Sequence, residues 1–97
     1  MTIKSKKEKN TMTISVKGRI DTATAPEFEK AVKAAQDITE LIIDMDGLEY
    51  ISSAGLRVLL YAHKSMNGKG TMKLVHVNES IMDILDITGF ADVMTIE

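Results

Sequence analysis

The sequence predicts an α/β fold built on a mixed sheet of four to five strands, with helices mainly on one face. Three observations predict it. Strand-like and helix-like segments alternate after an opening pair of strands, the arrangement that gives parallel pairing through right-handed crossovers. The two opening strands are joined by a short turn, which makes one pair antiparallel and the sheet mixed. The second strand alternates apolar and polar residues, so one of its faces is wet.

Taken in order, Thr2 to Lys6 reads as a short edge strand. In the second strand Met12, Ile14 and Val16 alternate with Thr13, Ser15 and Lys17. Asn10 and its charged neighbours supply the turn between them. Thr24-Ala25-Pro26-Glu27 then opens a helix. Thr24 at the cap and Glu27 reaching back would form a capping box. Pro26 falls in the first turn, where its missing N–H costs nothing. Ala25, Phe28, Ala31, Val32 and Ala35 make the apolar stripe, while Glu27, Glu29, Lys30 and Lys33 face water. Leu41-Ile42-Ile43 is a continuous apolar run ending at Asp44, expected to be a central strand covered on both faces. Asp46-Gly47 makes a turn. Ser52 and Ser53 precede Leu56, Leu59, Leu60 and His63, spaced as one helical face. Gly68 and Gly70 end that helix and lead into a strand from Met72 to Val77. Asn78 is the expected N-cap of a third helix, with Ile81, Ile84 and Leu85 on its inner side. Gly89 would close it in a left-handed conformation, with Phe90 folding back onto Leu85. Val93 to Ile96 reads as a last short strand.

A chain of 97 residues suits one domain, residues 1–97. A domain of this size has little room for a deep cleft, because it buries only about two-thirds of the surface its unfolded chain exposes. Hydrophobic residues are 44% and charged residues 27%, an ordinary globular balance. The formal net charge is −2, which excludes the basic footprint of a nucleic-acid binder. The cluster Lys4, Lys6, Lys7 and Lys9 is interrupted by Glu8 and reads as a solvated hairpin tip. There are no cysteines, so disulfide, thiolate and zinc–sulfur chemistry are excluded together. The start lacks the apolar core of a signal peptide. No stretch approaches the ~20 apolar residues that span a bilayer. A cytoplasmic location, away from membranes, is the expectation.

Little else points to chemistry. Gly68-Lys69-Gly70 lacks the spacing and the Lys-Ser/Thr ending of a phosphate-binding loop. His63 and His76 have no second ligand at metal spacing and read as structural or partly exposed histidines. Asp21, Asp44 and Asp46 sit where acidic residues could meet a hard cation, but also where turns and caps need aspartate; we read them as turn residues. No metal or cofactor is expected. The seven methionines are scattered and read as core filler. The exception is Glu49-Tyr50-Ile51-Ser52-Ser53-Ala54-Gly55-Leu56, where two serines stand between a loop and a helix. Either would serve as an N-cap, contributing about 1 kcal/mol, and spacing does not separate that role from another.

At these residues the chain resembles the STAS family, shared by bacterial anti-sigma factor antagonists and the tails of sulfate transporters. The likeness runs over essentially the whole chain. It is carried by Gly18-Arg19-Ile20-Asp21 with Thr22-Ala23-Thr24, by Leu41-Ile42-Ile43-Asp44, and by Leu48 through Ile51. It continues with Ser52-Ser53-Ala54-Gly55-Leu56, Leu74-Val75 and Thr88-Gly89-Phe90. The resemblance implies a mixed sheet with helices mostly on one face. It implies a binding protein rather than an enzyme, whose partner is an anti-sigma factor that is also a serine kinase. Binding releases a sigma factor, phosphorylation of the antagonist breaks the complex, and a metal-dependent serine phosphatase resets it. Matched by position, the acceptor serine is Ser53, two residues before Gly55. Ser52 stands where antagonists usually carry aspartate and is a second candidate acceptor. Ala54 replaces a frequent serine or threonine.

A phosphate adds about −1.5 to −2 charge at pH 7. A helix N-terminus tolerates that charge, so the effect is expected at an interface, not on folding. A loss of about 4 kcal/mol weakens binding roughly a thousandfold. The face expected to meet a partner comprises Asp21, Thr22, Ser52, Ser53, Ala54, Gly55, Arg57, Val58 and Tyr61. Val58, Tyr61 and Ala62 give the second helix an apolar surface beyond its inward stripe, which either docks a partner or is buried within the domain. Two other readings compete. One keeps the STAS fold as a scaffold or sensor subunit without regulated phosphorylation. The other is a small nucleotide-binding or hydrolytic enzyme, which needs a convergent nucleophile, base and anion site that the sequence does not offer.

Overall fold

The computed structural model describes residues 1–97. Two strands open it, β1 (Thr2–Glu8) and β2 (Thr11–Ile20), followed by helix α1 (Ala25–Ala34). Strands β3 (Glu40–Asp44) and β4 (Leu48–Ile51) precede helix α2 (Ser53–Met66). Strand β5 (Thr71–Val75), helices α3 (Glu79–Ile87) and α4 (Phe90–Val93), and strand β6 (Thr95–Ile96) complete the chain. The sheet runs β1-β2-β3-β5-β6, with β4 pairing with β2. β1 and β2 are antiparallel and every other pair is parallel.

The alternation in β2 propagates across the sheet. Ile14, Ile43 and Leu74 stand in one register row, and Met12, Leu41 and Met72 in another. These rows face Phe28 and Val32 of α1, Val58, Leu59, Ala62 and Met66 of α2, and Ile81 and Leu85 of α3, all in one apolar core. No polar or charged side chain is buried, so apolar burial drives the assembly. The opposite row, Thr13, Ile42 and Lys73, is only half-buried. The run Leu41-Ile42-Ile43 is therefore not covered on both faces as expected: the middle isoleucine lies on the face that the helices leave open.

The sheet has six strands, where four to five were expected, and the additional one is β4. Two strands leave room for it by diverging. At Gly18, φ is +88° and the pairing of β2 with β4 shifts register between Gly18 and Arg19. A residue with a Cβ rarely adopts that conformation. Gly18 N–H donates to Gly47 O at 2.9 Å. Below this kink β2 pairs with β3, and above it with β4. Strand β5 stops at Val75, earlier than expected, because His76 turns to φ +57°. The single-turn helix α4 ends at Val93, the residue expected to begin the final strand, which starts instead at Thr95.

The expected capping box at Thr24 does not form. Thr24 already has helical backbone angles and makes no cap bond. Its hydroxyl donates to Arg19 O and accepts from the Asp21 N–H, each at 2.9 Å. Asp21 takes over as the initiating residue. Its carboxylate accepts from the Ala23 and Thr24 N–H groups at 3.0 Å, and its carbonyl from Ala25 N–H at 2.8 Å. A Thr24 cap has no donor left to serve, since Pro26 carries no N–H and the Glu27 N–H donates to the Thr24 carbonyl at 3.0 Å. Elsewhere the local signals hold. Asn78 Oδ1 accepts from Ile81 N–H at 2.9 Å, and Gly89 follows α3 in the left-handed region with φ +82°.

Helix α2 approaches the sheet most closely at Gly55. A Cβ there would lie 2.7 Å from both Ile20 Cγ2 and Ile51 Cγ1. Replacing Gly55 with alanine is expected to lower stability by about 1–3 kcal/mol through overpacking, read as a shift of the urea midpoint without a change of slope.

Candidate functional site

Strands β2 and β4 end side by side, with Arg19 opposite Tyr50 and Ile20 opposite Ile51. The chain turns directly from β4 into α2, and the two serines occupy that turn. Ser52 has extended backbone angles, φ −88° and ψ 174°. Its N–H donates to Ile20 O at 2.8 Å and its carbonyl accepts from Leu56 N–H at 2.9 Å. Its hydroxyl accepts from Gly55 N–H at 3.3 Å. Ser52 is thus the N-cap, half-buried and tied to β2. Ser53 is the first helical residue and is exposed. The structure therefore separates two serines that spacing left equivalent.

A groove of about 350 Å³ lies beside them, between the starts of α1 and α2. Thr22, Ala25, Pro26, Glu29, Ala54, Arg57 and Val58 line it. Val58, 4% exposed, contributes only to the groove's lining, and Gly55 is buried beneath the helix mouth. Ala62 is fully buried, so the second apolar surface of α2 is largely covered within the domain. Tyr61 is the part that emerges, 41% exposed. Asp21 and Thr22 sit at the turn into α1, on the groove's edge. Of the nine residues expected at a partner surface, Thr22, Ala54, Arg57 and Val58 line the groove, Tyr61 lies two turns beyond Ser53 on α2, and seven of the nine have some exposure, Gly55 and Val58 being buried.

Sequence reasoning missed two features here. The Arg19 guanidinium stacks 4.2 Å from the centroid of the Tyr50 ring, and Lys33 Nζ lies 5.6 Å from that of Tyr61. Arginine and tyrosine together are common anchors of protein interfaces. The first pair depends on the β2–β4 pairing, which has no local signature. The Asp21 carboxyl is held below the usual carboxylate range, first by the Thr24 N–H; partial burial opposes this, and the Thr24 hydroxyl, the Ala23 N–H and the Arg19 charge reinforce it. No three histidine or acidic side chains stand close enough to share a metal ion.

The family model of the STAS domain matches residues 2–97. The chain belongs to the STAS domain family. It is 31% identical over 93 residues to the anti-sigma-B factor antagonist of Bacillus subtilis, covering 94% of this chain and 85% of that one. The crystal structure of an anti-sigma factor antagonist from Mycobacterium paratuberculosis superposes with a TM-score of 0.89 at 25% identity, over 98% of this chain and 83% of the other. SpoIIAA, a Bacillus cell fate determinant solved in its phosphorylated form, shares the fold with a TM-score of 0.78 at 15% identity, over 99% and 91%.

This STAS domain carries a second polar constellation at the ends of β3 and β5. His76 Nδ1 lies 2.8 Å from Asp44 Oδ1, which also accepts from Asp46 N–H at 3.0 Å. The three aspartates considered at sequence level thus include two, Asp21 and Asp44, whose carboxylates shape turns. The hydrogen bond to Asp44, and then its charge, raise the His76 pKa above the ordinary 6.5. Burial pulls the Asp44 carboxyl upward, but the bonds from His76 and the Asp46 N–H, with the charges of His76 and Lys17, outweigh it and leave it below its ordinary 3.8.

A raised histidine pKa stabilises the fold fully below the unfolded value, and the contribution is lost as pH rises through the folded one. A lowered aspartate pKa acts in the opposite sense, lost as pH falls through its folded value. The pair is therefore strongest between about pH 4 and 6.5. Thermal melts of wild type and His76→Gln are expected to differ most in that window and to converge as the pH rises through the folded-state pKa of His76, above its ordinary 6.5.

Proposed function

We propose that this STAS domain is a cytoplasmic anti-sigma factor antagonist, switched off by phosphorylation of Ser53. The observation that carries this reading is the exposed Ser53 hydroxyl at the mouth of α2, beside a groove and next to a serine already committed to capping. In this reading the groove and its rim bind an anti-sigma factor that is also a serine kinase, and the domain itself performs no catalysis. Its anti-sigma-B relatives support the partner class.

Phosphoryl transfer would form a bond between Ser53 Oγ and the γ-phosphorus of ATP and break that phosphorus's bond to the bridging oxygen, releasing ADP. The hydroxyl proton passes to a base on the kinase, since no acidic or imidazole side chain of this chain bonds to Ser53. Because the exposed hydroxyl caps nothing, the added phosphate disturbs the interface and leaves the domain folded. A metal-dependent phosphatase would restore the hydroxyl by hydrolysis.

Incubation with a kinase-type anti-sigma factor and ATP, followed by mass spectrometry of residues 50–57, is expected to place one phosphate on Ser53 and none on Ser52. Ser53→Ala should bind that kinase and accept no phosphate. Ser53→Asp should bind roughly a thousandfold more weakly by calorimetry, equivalent to about 4 kcal/mol, with an unchanged far-ultraviolet circular dichroism spectrum. Ser52→Ala should lose about 1 kcal/mol of stability with its cap and still be phosphorylated at Ser53. Undiminished binding by Ser53→Asp would instead leave a scaffold without regulated phosphorylation.

A further inference from the structure

Arg57 is the one guanidinium on α2. It is exposed, it lines the groove beside Ala54 and Thr22, and none of the ion pairs in the molecule uses it. The acid that shares the groove with it, Glu29, is paired instead with Lys33 one turn along α1, at 3.6 Å. Asp21, at the groove's edge, has its carboxylate turned to the Ala23 and Thr24 N–H groups. Arg57 is therefore a cation without an anion in the unmodified protein.

It also stands four residues after Ser53 on a continuous helix. Residues at that spacing lie one above the other, with Cβ atoms about 5–6 Å apart. An arginine spans that distance readily, and its planar fork matches two phosphate oxygens at once. The serine hydroxyl gives Arg57 nothing to pair with; a phosphate on the same oxygen would.

We propose that Arg57 is the internal receptor of the Ser53 phosphate, closing over it in a bidentate ion pair within the same helix. The inference rests on Ser53 being the modified residue and adds a second consequence of modification. Phosphorylation then not only places negative charge on the partner-facing surface but also withdraws from it the free guanidinium that a partner's carboxylate would use.

The test uses the full chain with phosphoserine installed at position 53 during translation, so that no kinase is needed. The readout is the second ionisation of the phosphate, ordinarily near pH 6, followed by phosphorus NMR. The charged groups around Ser53 are Arg57 on α2, Glu29 and Lys33 on α1, Arg19 and Asp21 at the end of β2, and Glu49 on β4. Of these Arg57 alone is changed, to glutamine and to lysine. Wild type is expected to titrate about half a unit or more below Arg57→Gln, with Arg57→Lys between them, because an ammonium is a point charge without the fork. In wild type the Arg57 Nε–H proton signal should move downfield on phosphorylation. Equal midpoints in wild type and Arg57→Gln, or an unmoved Nε–H signal, would overturn the proposal. Failure of a kinase to modify Ser53, with the midpoint shift intact, would strike the functional reading and leave the clamp standing.

Discussion

At Gly55 nothing larger than a hydrogen fits between α2 and the paired ends of β2 and β4, and the geometry of the site follows from that contact. With Ile20 and Ile51 both 2.7 Å from where a Cβ would be, the first turn of the helix rests directly on the sheet. Ser52 is held by its N–H to Ile20 O at 2.8 Å and turns its hydroxyl inward to the Gly55 N–H. The next residue has no inward direction left, so Ser53 faces solvent. Further along, Val58, Leu59, Ala62 and Met66 carry the helix into the core, which holds the mouth rigid. Close approach, cap and exposed hydroxyl are therefore three parts of one packing arrangement.

The same arrangement separates the site from the rest of the molecule. The core contains no buried polar or charged side chain, and the Ser53 hydroxyl is not a partner in the capping bond that starts α2. A charge placed there breaks no native contact and has no polar network through which to reach the sheet. Its effect is confined to the surface, where it meets whatever lies in the groove. The proposed switch needs no bistable core, because its two states would differ in what they repel and what they pair with, not in how they fold.

Much of this was legible in the sequence wherever the information was local. The alternation of Met12, Ile14 and Val16, the Asn78 cap and the Gly89 terminus each depend on residues within one turn or strand, and each is realised. The failures are of two kinds. Some signals were outcompeted locally: Thr24 looks like a cap, but its hydroxyl is taken by the Arg19 carbonyl and the Asp21 N–H. Ile42 prolongs an apolar run although its side of the sheet is open. Others had no local signal. β4 is four residues with its two outer positions buried and the inner two exposed, which matches no period, and its only strand partner is the end of β2 from Gly18 onward. The Arg19–Tyr50 stack depends on that pairing, and the His76–Asp44 bond joins residues 32 apart. At the site itself the serine pair was visible, but its division of labour needed the extended backbone at Ser52.

That division also bears on what must expel a partner. Two acids near the groove are already engaged, Glu29 by Lys33 at 3.6 Å and Asp21 by backbone N–H groups, while Glu49 on β4 is in no ion pair. With the Arg57 and Arg19 guanidiniums also exposed at this end, a phosphate at Ser53 would meet cations as well as acids on the domain's own surface. In the proposed complex, like charge sufficient to weaken binding a thousandfold would have to come from the partner's face, pressed against Ser53 and Arg57 with water excluded, where each charge interacts far more strongly than in solvent. An exposed serine on a quiet surface is stable in both of its states when the domain is alone. In the proposed switch it would become decisive only when covered, which would place the energetic origin of the switch in the interface.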